Sequence, residues 1–405
     1  MGRLTGLLGL LVILGLVYLL SADRKRIQAR VVYWGLGLQI GFAFLVLNTP
    51  IGIVLQKASQ GVNALIHYAE EGSKLVFGAL GAKSDQFGVI FAFQVLPIII
   101  FVASLFSVLY YLGLMQPFVK GVATVMYRLM GISGAEATCV SASIFMGQTE
   151  APLTIRPFVP RLTQSELFTI MTSGMAHVSG AIMAAYVIIA KVEIQHLLTA
   201  VIMTAPATIM ISKILIPEVD QPETRGGVKV EVEIPGVNVI DAAARGAGEG
   251  LQLALNVAAM LIAFMGLIAL GNGIFGWAHS LAPFFPETIQ QLLGWIMAPA
   301  AWLLGVSWKD SMAIGNLMGT RFVLNEFVAF AALGPMKEAL DPKSFTIATY
   351  ALCGFANLGS IAIQVGGIGA LAPQRRSDLA RFGLKAVLAG TLANFMSAAI
   401  VGILL

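Results

Sequence analysis

The sequence predicts an all-α polytopic membrane protein with eight transmembrane helices, two re-entrant hairpins and an inverted repeat. Three observations carry this. Of 405 residues, 58% are hydrophobic and 11% charged, where a soluble domain carries about 25% charge. Apolar runs recur at lengths near the roughly 20 residues that cross a hydrocarbon layer. The two halves echo one another in short motifs, and each holds one stretch too polar and too broken to be a simple span.

Spans are expected at about 4–21, 31–49, 88–115, 166–190, 197–216, 250–275, 344–370 and 380–404. The first could pass for a signal peptide, but its basic cluster (Arg24, Lys25, Arg26, Arg30) follows the apolar run instead of preceding it, so it reads as a retained helix. Cytoplasmic loops carry the excess of Lys and Arg. Arg24 to Arg30 follow the first span, and Arg375, Arg376, Arg381 and Lys385 flank the start of the last, so both termini should face outward. The polar loop 217–248, with Arg225, Lys229 and Arg245, then falls inside, and the stretch from Gly246 to Trp308 holds no Lys or Arg. Residues 52–80 alternate apolar and polar at helical spacing and read as a helix along the interface.

Regions 117–165 and 290–340 are the candidate re-entrant hairpins, rich in Gly, Ser and Ala, each with carboxylates and a break near its middle. LMGISGAE (Leu129 to Glu136) echoes LLGVSWKD (Leu303 to Asp310), and MAHVSGAI (Met175 to Ile182) echoes FANLGSIA (Phe355 to Ala362). Each unit holds three crossings, and an odd number inverts the second copy. The chain divides as 1–49 (first two spans, read as scaffold), 50–87 (interfacial helix), 88–216 (first repeat), 217–249 (inner loop) and 250–405 (second repeat). Inverted repeats with interrupted helices place a binding site near the bilayer midplane, where broken backbone faces a cavity instead of lipid.

Several chemistries are excluded or disfavoured at this stage. The net charge of +4 is too small and scattered for a nucleic-acid partner. Cys139 and Cys353 sit far apart without a CxxC and read as packing residues. No Walker A sequence is present, and no cofactor is indicated. GISG (Gly131 to Gly134) matches the GxSG of intramembrane serine proteases with His177 as an imagined base, but its echo GVSW keeps Ser307 without a second histidine, which favours a hairpin turn. A passive channel is the other rival.

A charged side chain at the bilayer centre costs at least about 2.5 kcal/mol, so Glu150 and Glu326 need a reason. Either each caps a hairpin or pairs with Arg156 or Arg321, or both line a polar-substrate cavity. Gln148 and Thr149 add two-way hydrogen bonding beside Glu150. Asn325 and Glu326 supply the same from the opposite hairpin. Asn357 and Ser360 lie three apart where the seventh span is interrupted by Gly354 and Gly359. Phe355, Leu253 and Ile182 offer apolar faces for a flat ring. Such a set suits a neutral ligand rich in hydroxyls and amides, and a sugar carrying a planar base would use all of it.

GQTEAPL (Gly147 to Leu153), NEFVA (Asn325 to Ala329) and ALCGFANLGSIAI (Ala351 to Ile363), with QLALN and AMLIAF, resemble the concentrative nucleoside transporter family over essentially the full chain. The resemblance implies a homotrimer in a bacterial inner membrane, with a transport domain that slides against a trimeric scaffold like an elevator. It implies that Gln148, Thr149 and Glu150 contact the nucleobase, with Ile182, Leu253 and Phe355 around it. Glu326, Asn357 and Ser360 would bind the ribose hydroxyls of a nucleoside such as uridine or adenosine.

The family's sodium ion is held between the first hairpin and the fourth span by an asparagine, a hydroxyl side chain and carbonyls. Here those positions read Ser143, Met146, His177 and Val178, so two side-chain oxygens are altered. Sodium wants oxygen ligands, and a charged imidazole would repel it. The coupling ion is therefore expected to be sodium at a weakened site, or a proton, and His177 is either a packing residue or a proton carrier.

Overall fold

The computed structural model describes residues 2–49, 51–82, 90–225 and 236–405, and among these every regular element is helical. Residues 83–89 and 226–235, which include the expected start of the third span and Lys229, lie outside the described residues.

The chain opens with α1 (Gly2–Leu19) and α2 (Ala29–Asn48). Arg24 donates to the carbonyls of Tyr18 and Leu19 at 3.2 and 2.7 Å, so the basic cluster also satisfies orphan carbonyls at the end of α1. Next comes α3 (Ile51–Phe77), the helix expected along the interface. The third span is α4 (Phe91–Gln94) and α5 (Leu96–Tyr111), stepped at Val95 before Pro97. Then follow α6 (Gln116–Met130), α7 (Gly134–Ala142), α8 (Gln164–Ala176), α9 (Gly180–Ile189) and α10 (Ile194–Leu215). The second half runs through α11 (Val239–Leu281), α12 (Ile289–Leu303), α13 (Trp308–Val323), α14 (Glu326–Leu333), α15 (Pro342–Leu352), α16 (Leu358–Leu371) and α17 (Arg376–Leu404). Among the described residues six helices or helix pairs are long and apolar enough to cross a membrane, seven if the bent α12–α13 pair counts as one.

Three expectations are corrected in detail. The 166–190 span is two helices, because His177 to Ser179 leave the helical path between α8 and α9. Residues 239–248 are helix, not loop: Asn238 caps the start of α11 by accepting from Asp241 N–H at 2.9 Å. Their charges concealed an extension of the helix into water. Each hairpin region also begins with a whole helix (α6, α12) before its first turn, so each is broken twice.

The repeat motif folds the same way in both copies. Gly131 and Gly305 take positive φ of 73° and 99°, which only glycine adopts freely. Two residues on, Ser133 and Ser307 cap α7 and α13 by accepting from the N–H of Glu136 and Asp310. In the second copy the helices on either side of the turn are bent by 119°. The GISG serine is a helix cap, as its echo is.

The core lies around α8, α10 and α17. In their most apolar stretches 89% of α10 and 83% of α17 is buried, against 6% for α11, so α11 presents its sides to whatever surrounds the chain. The partner of α11 is α5, joined through Ser104 and Ser107, which donate to the carbonyls of Ala243 and Ala242 at 2.9 and 2.7 Å. Both α1 and α2 pack inward, α1 along α17 and α2 along α10.

At the end of the bundle where α7 and α8 begin, Lys213 is buried with Glu136 at 2.6 Å, Glu218 at 3.0 Å and Ser165 at 2.9 Å. A lysine so placed needs such partners, and this cluster was not legible in the sequence.

Candidate functional site

The two broken helices meet at their breaks. Phe355 N–H, in the gap between α15 and α16, donates to the carbonyl of His177, in the gap between α8 and α9, at 3.2 Å. Asn394 of α17 stands behind both and donates from Nδ2 to Ala176 O at 2.8 Å and Cys353 O at 2.9 Å. From α13, the fully buried Arg321 donates to Gly354 O at 3.1 Å, Ala351 O at 2.6 Å and Asn394 Oδ1 at 2.6 Å. The carbonyls orphaned by interrupting a helix inside an apolar bundle are thus satisfied by one amide and one guanidinium. Gly354 is required by closeness: a Cβ there would lie 2.3 Å from Asn394 Oδ1.

Around this crossing the polar residues predicted from sequence form a connected chain. Gln148, at the tip after α7, donates to Ser360 Oγ at 3.2 Å. The N–H of Ser360 donates to Asn357 Oδ1 at 2.9 Å, so Asn357 caps α16. Its Nδ2 reaches Glu326 Oε2 at 3.3 Å. Glu326 opens α14, whose cap is Asn325, and its other oxygen accepts from Tyr186 at 2.9 Å. Thr149 packs on α16 so closely that a Cβ on Gly367 would lie 2.5 Å from Thr149 Cγ2. Residues from both halves of the chain therefore share one hydrogen-bonded set.

The placements of the rest are mixed. Ile182 and Phe355 are buried beside the set, Ile182 one helical turn before Tyr186 on the same face of α9. Leu253 is half-buried on α11, and among the described residues no hydrogen bond joins α11 to the cluster. Neither carboxylate pairs with an arginine among the described residues. Glu150 folds onto its own tip, accepting from Gly147 N–H at 3.0 Å, which is the capping role weighed for it. Arg156 is exposed, and Arg161 pairs with Glu223 at 2.9 Å.

The proposed ion positions adjoin one another. Gly180 N–H donates to Phe145 O at 2.9 Å and so joins the start of α9 to the tip that carries Ser143 and Met146. Ser143 spends its hydroxyl on Cys139 O at 2.9 Å. His177 Nδ1 lies 2.9 Å from Ser173 O of α8, and the ring also faces the Val201 backbone, while the hydroxyl of Ser179 is buried without a hydrogen-bond partner. Val178, between them, is fully buried. No group of three or more His, Cys, Asp or Glu side chains capable of holding a metal occurs among the described residues, so a cation here depends on hydroxyls and backbone carbonyls.

Sequence reasoning missed Tyr186, Gln364 and Asn394, and gave Arg321 only the role of a salt-bridge partner. Gln364 is buried on α16 and donates to Met171 O at 3.0 Å. A usable signal existed: an amide in the middle of an otherwise apolar span is costly and rarely idle.

Comparison with known proteins agrees with this geometry. Three family models tile the chain: the Na+ dependent nucleoside transporter N-terminus over residues 8–80, nucleoside recognition over 92–193, and the Na+ dependent nucleoside transporter C-terminus over 196–402. The transporter YutK of Bacillus subtilis is 45% identical, covering 99% of each chain. Sodium/nucleoside cotransporter 1 of Rattus norvegicus is 36% identical over 99% of this chain and 64% of its own length. The solved structure of CNTnw in an inward-facing substrate-bound state superposes with a TM-score of 0.93 at 42% identity, over 100% of this chain and 98% of that one. A fold of interrupted membrane helices, with a polar set built from both halves of the chain and these matches along its whole length, makes the chain a member of the concentrative nucleoside transporter family, a family of nucleoside transporters and not of enzymes.

Proposed function

We propose that the protein is a cation-coupled symporter that imports a nucleoside, such as uridine or adenosine, across a bacterial inner membrane. It works as a homotrimer by elevator-type alternating access, with both termini outside. The observation that carries the substrate site is the chain Gln148–Ser360–Asn357–Glu326 across the two repeats. Glu326, Asn357 and Ser360 hold the ribose hydroxyls. Gln148, Thr149 and Glu150 face the base, with Ile182, Leu253 and Phe355 around it.

Sodium is the coupling ion by kinship, bound at Ser143, Met146, His177 and Val178, and a weak fit to it is expected. Ser143 turns its hydroxyl to its own helix, and an imidazole stands where the family has a hydroxyl. The second reading, proton coupling, is favoured by the loss of side-chain oxygen at the ion positions, where the Ser143 hydroxyl is committed to Cys139 O. Either ion suffices energetically. One charge falling through 100 mV releases about 2.3 kcal/mol, enough at about 1.4 kcal/mol per tenfold to concentrate a nucleoside several-tens-fold.

Reconstituted uptake of labelled uridine and adenosine, under separately imposed sodium, pH and voltage gradients, tests this reading. Accumulation driven by one of the cation gradients is expected. Equilibration without accumulation would make the protein a passive channel, and no movement of either compound would remove the proposal.

A further inference from the structure

Tyr186 has no role in the reading above, yet it lies against the residue on which that reading most depends. It is fully buried on α9, and its hydroxyl donates to Glu326 Oε1 at 2.9 Å. Its ring lies flat on Phe330, with centroids 4.3 Å apart and planes 21° apart, and meets Phe327 edge-on at 5.7 Å. Phe327 and Phe330 belong to α14, the helix that Glu326 opens. The helix that carries the carboxylate therefore grips the ring whose hydroxyl holds that carboxylate, and the phenol has no room to swing away.

A carboxylate offers about four acceptor positions on two oxygens. Asn357 Nδ2 takes one on Oε2 and Tyr186 one on Oε1. With a donor on each oxygen, the plane of the carboxylate is fixed and the remaining acceptor positions have set directions. An unfixed carboxylate would have to be ordered at the moment of binding, at a cost in affinity. Asn357 is itself constrained, since its Oδ1 caps α16. Tyr186 belongs to the first repeat and Glu326 to the second, so the two halves meet in this hydrogen bond.

We propose that Tyr186 is a positioning residue: its hydroxyl, held by the stack on Phe330 and Phe327, fixes the Glu326 carboxylate so that its free lone pairs meet the hydroxyls of the nucleoside. Tyr186 does not touch the substrate. The proposal rests on the assignment of Glu326 to the ribose.

The test compares wild type, Tyr186→Phe and Glu326→Gln in proteoliposomes with uridine, 2′-deoxyuridine and 3′-deoxyuridine, and records KM and maximal rate for each. Tyr186→Phe should raise the KM for uridine by about tenfold with the maximal rate within about twofold. The penalty should vanish for the deoxy analogue that is also insensitive to Glu326→Gln, because that analogue lacks the hydroxyl the carboxylate receives. An unchanged uridine KM in Tyr186→Phe, or an equal penalty on all three compounds, overturns the proposal. If Glu326→Gln itself leaves uridine unaffected, the ribose assignment falls, and this proposal with it. A strong Glu326→Gln effect beside a neutral Tyr186→Phe removes the positioning role alone. Should Tyr186→Phe not fold, Phe330→Leu loosens the stack while leaving the hydroxyl, and must show the same substrate-selective loss.

Discussion

At the scale of single residues, the site is a set of buried polar groups whose partners are specific, and the penalty for removing one depends on what is left unpaired. Glu326→Gln keeps size but removes the charge that strengthens two hydrogen bonds and those expected from the ribose. Hydrogen bonds to charged groups contribute about 1.5–3 kcal/mol, so uridine binding measured by calorimetry should weaken by at least tenfold. Arg321 behaves differently. Arg321→Met would strand the carbonyls of Ala351 and Gly354 and the Asn394 side chain, and the melting temperature in detergent should fall sharply even without substrate. Ser143→Asn would add a longer-reaching oxygen at the proposed sodium site, and uptake should then depend more steeply on sodium; indifference to sodium in both forms would favour protons. The sequence exposed Gln148, Glu326, Asn357 and Ser360 because polar residues in apolar surroundings attract attention. It hid Tyr186, a residue that looks like core until its hydroxyl is seen to have a partner.

Among the elements, the paired turn motif was the most legible feature and the span boundaries the least. Turn chemistry is local: a glycine at positive φ followed two residues later by a capping serine reads the same in both copies, so the echo of GISGAE in GVSWKD held in three dimensions. Ser133→Ala and Ser307→Ala should each destabilise by about 0.5–2 kcal/mol, the usual loss of a helix cap, while uptake by the folded protein persists. A melting curve and a transport assay together check this. The break at His177 was not legible as a break, because Met175 to Ile182 carries no proline and its apolar residues suit an unbroken span. What holds it open is tertiary: Asn394 and the backbone of Phe355, both distant in sequence. Gly354→Ala should drive Asn394 from its position, and nucleoside-dependent thermal stabilisation should be lost.

Across the whole molecule, composition alone fixed the class, since 11% charge leaves little with which to cover a soluble surface. Which helices form the interior was not readable that way, because α10 and α11 both carry long apolar stretches while that of one is almost wholly buried and that of the other hardly at all. Apolar periodicity cannot separate a helix facing protein from one facing lipid tails, as both environments reward the same residues. The buried lysine cluster was missed for a related reason: Glu136 and Ser165 lie far along the chain from Lys213 and Glu218, and only the fold brings the two carboxylates onto one ammonium. Lys213→Met should leave Glu136 and Glu218 facing each other unneutralised, and thermal stability should fall more than in Lys213→Met combined with Glu136→Gln.

The length of α11 has a consequence of its own. From Leu251 to Trp277 it carries no charged residue, a stretch of about 40 Å at 1.5 Å per residue, where the oily layer is about 30 Å deep. The excess lets the rod span the layer at a tilt, with the angle set by its packing on neighbouring helices. A thinner bilayer would make it lean further, and α5, clipped to its polar end by two serine hydroxyls, would be carried along.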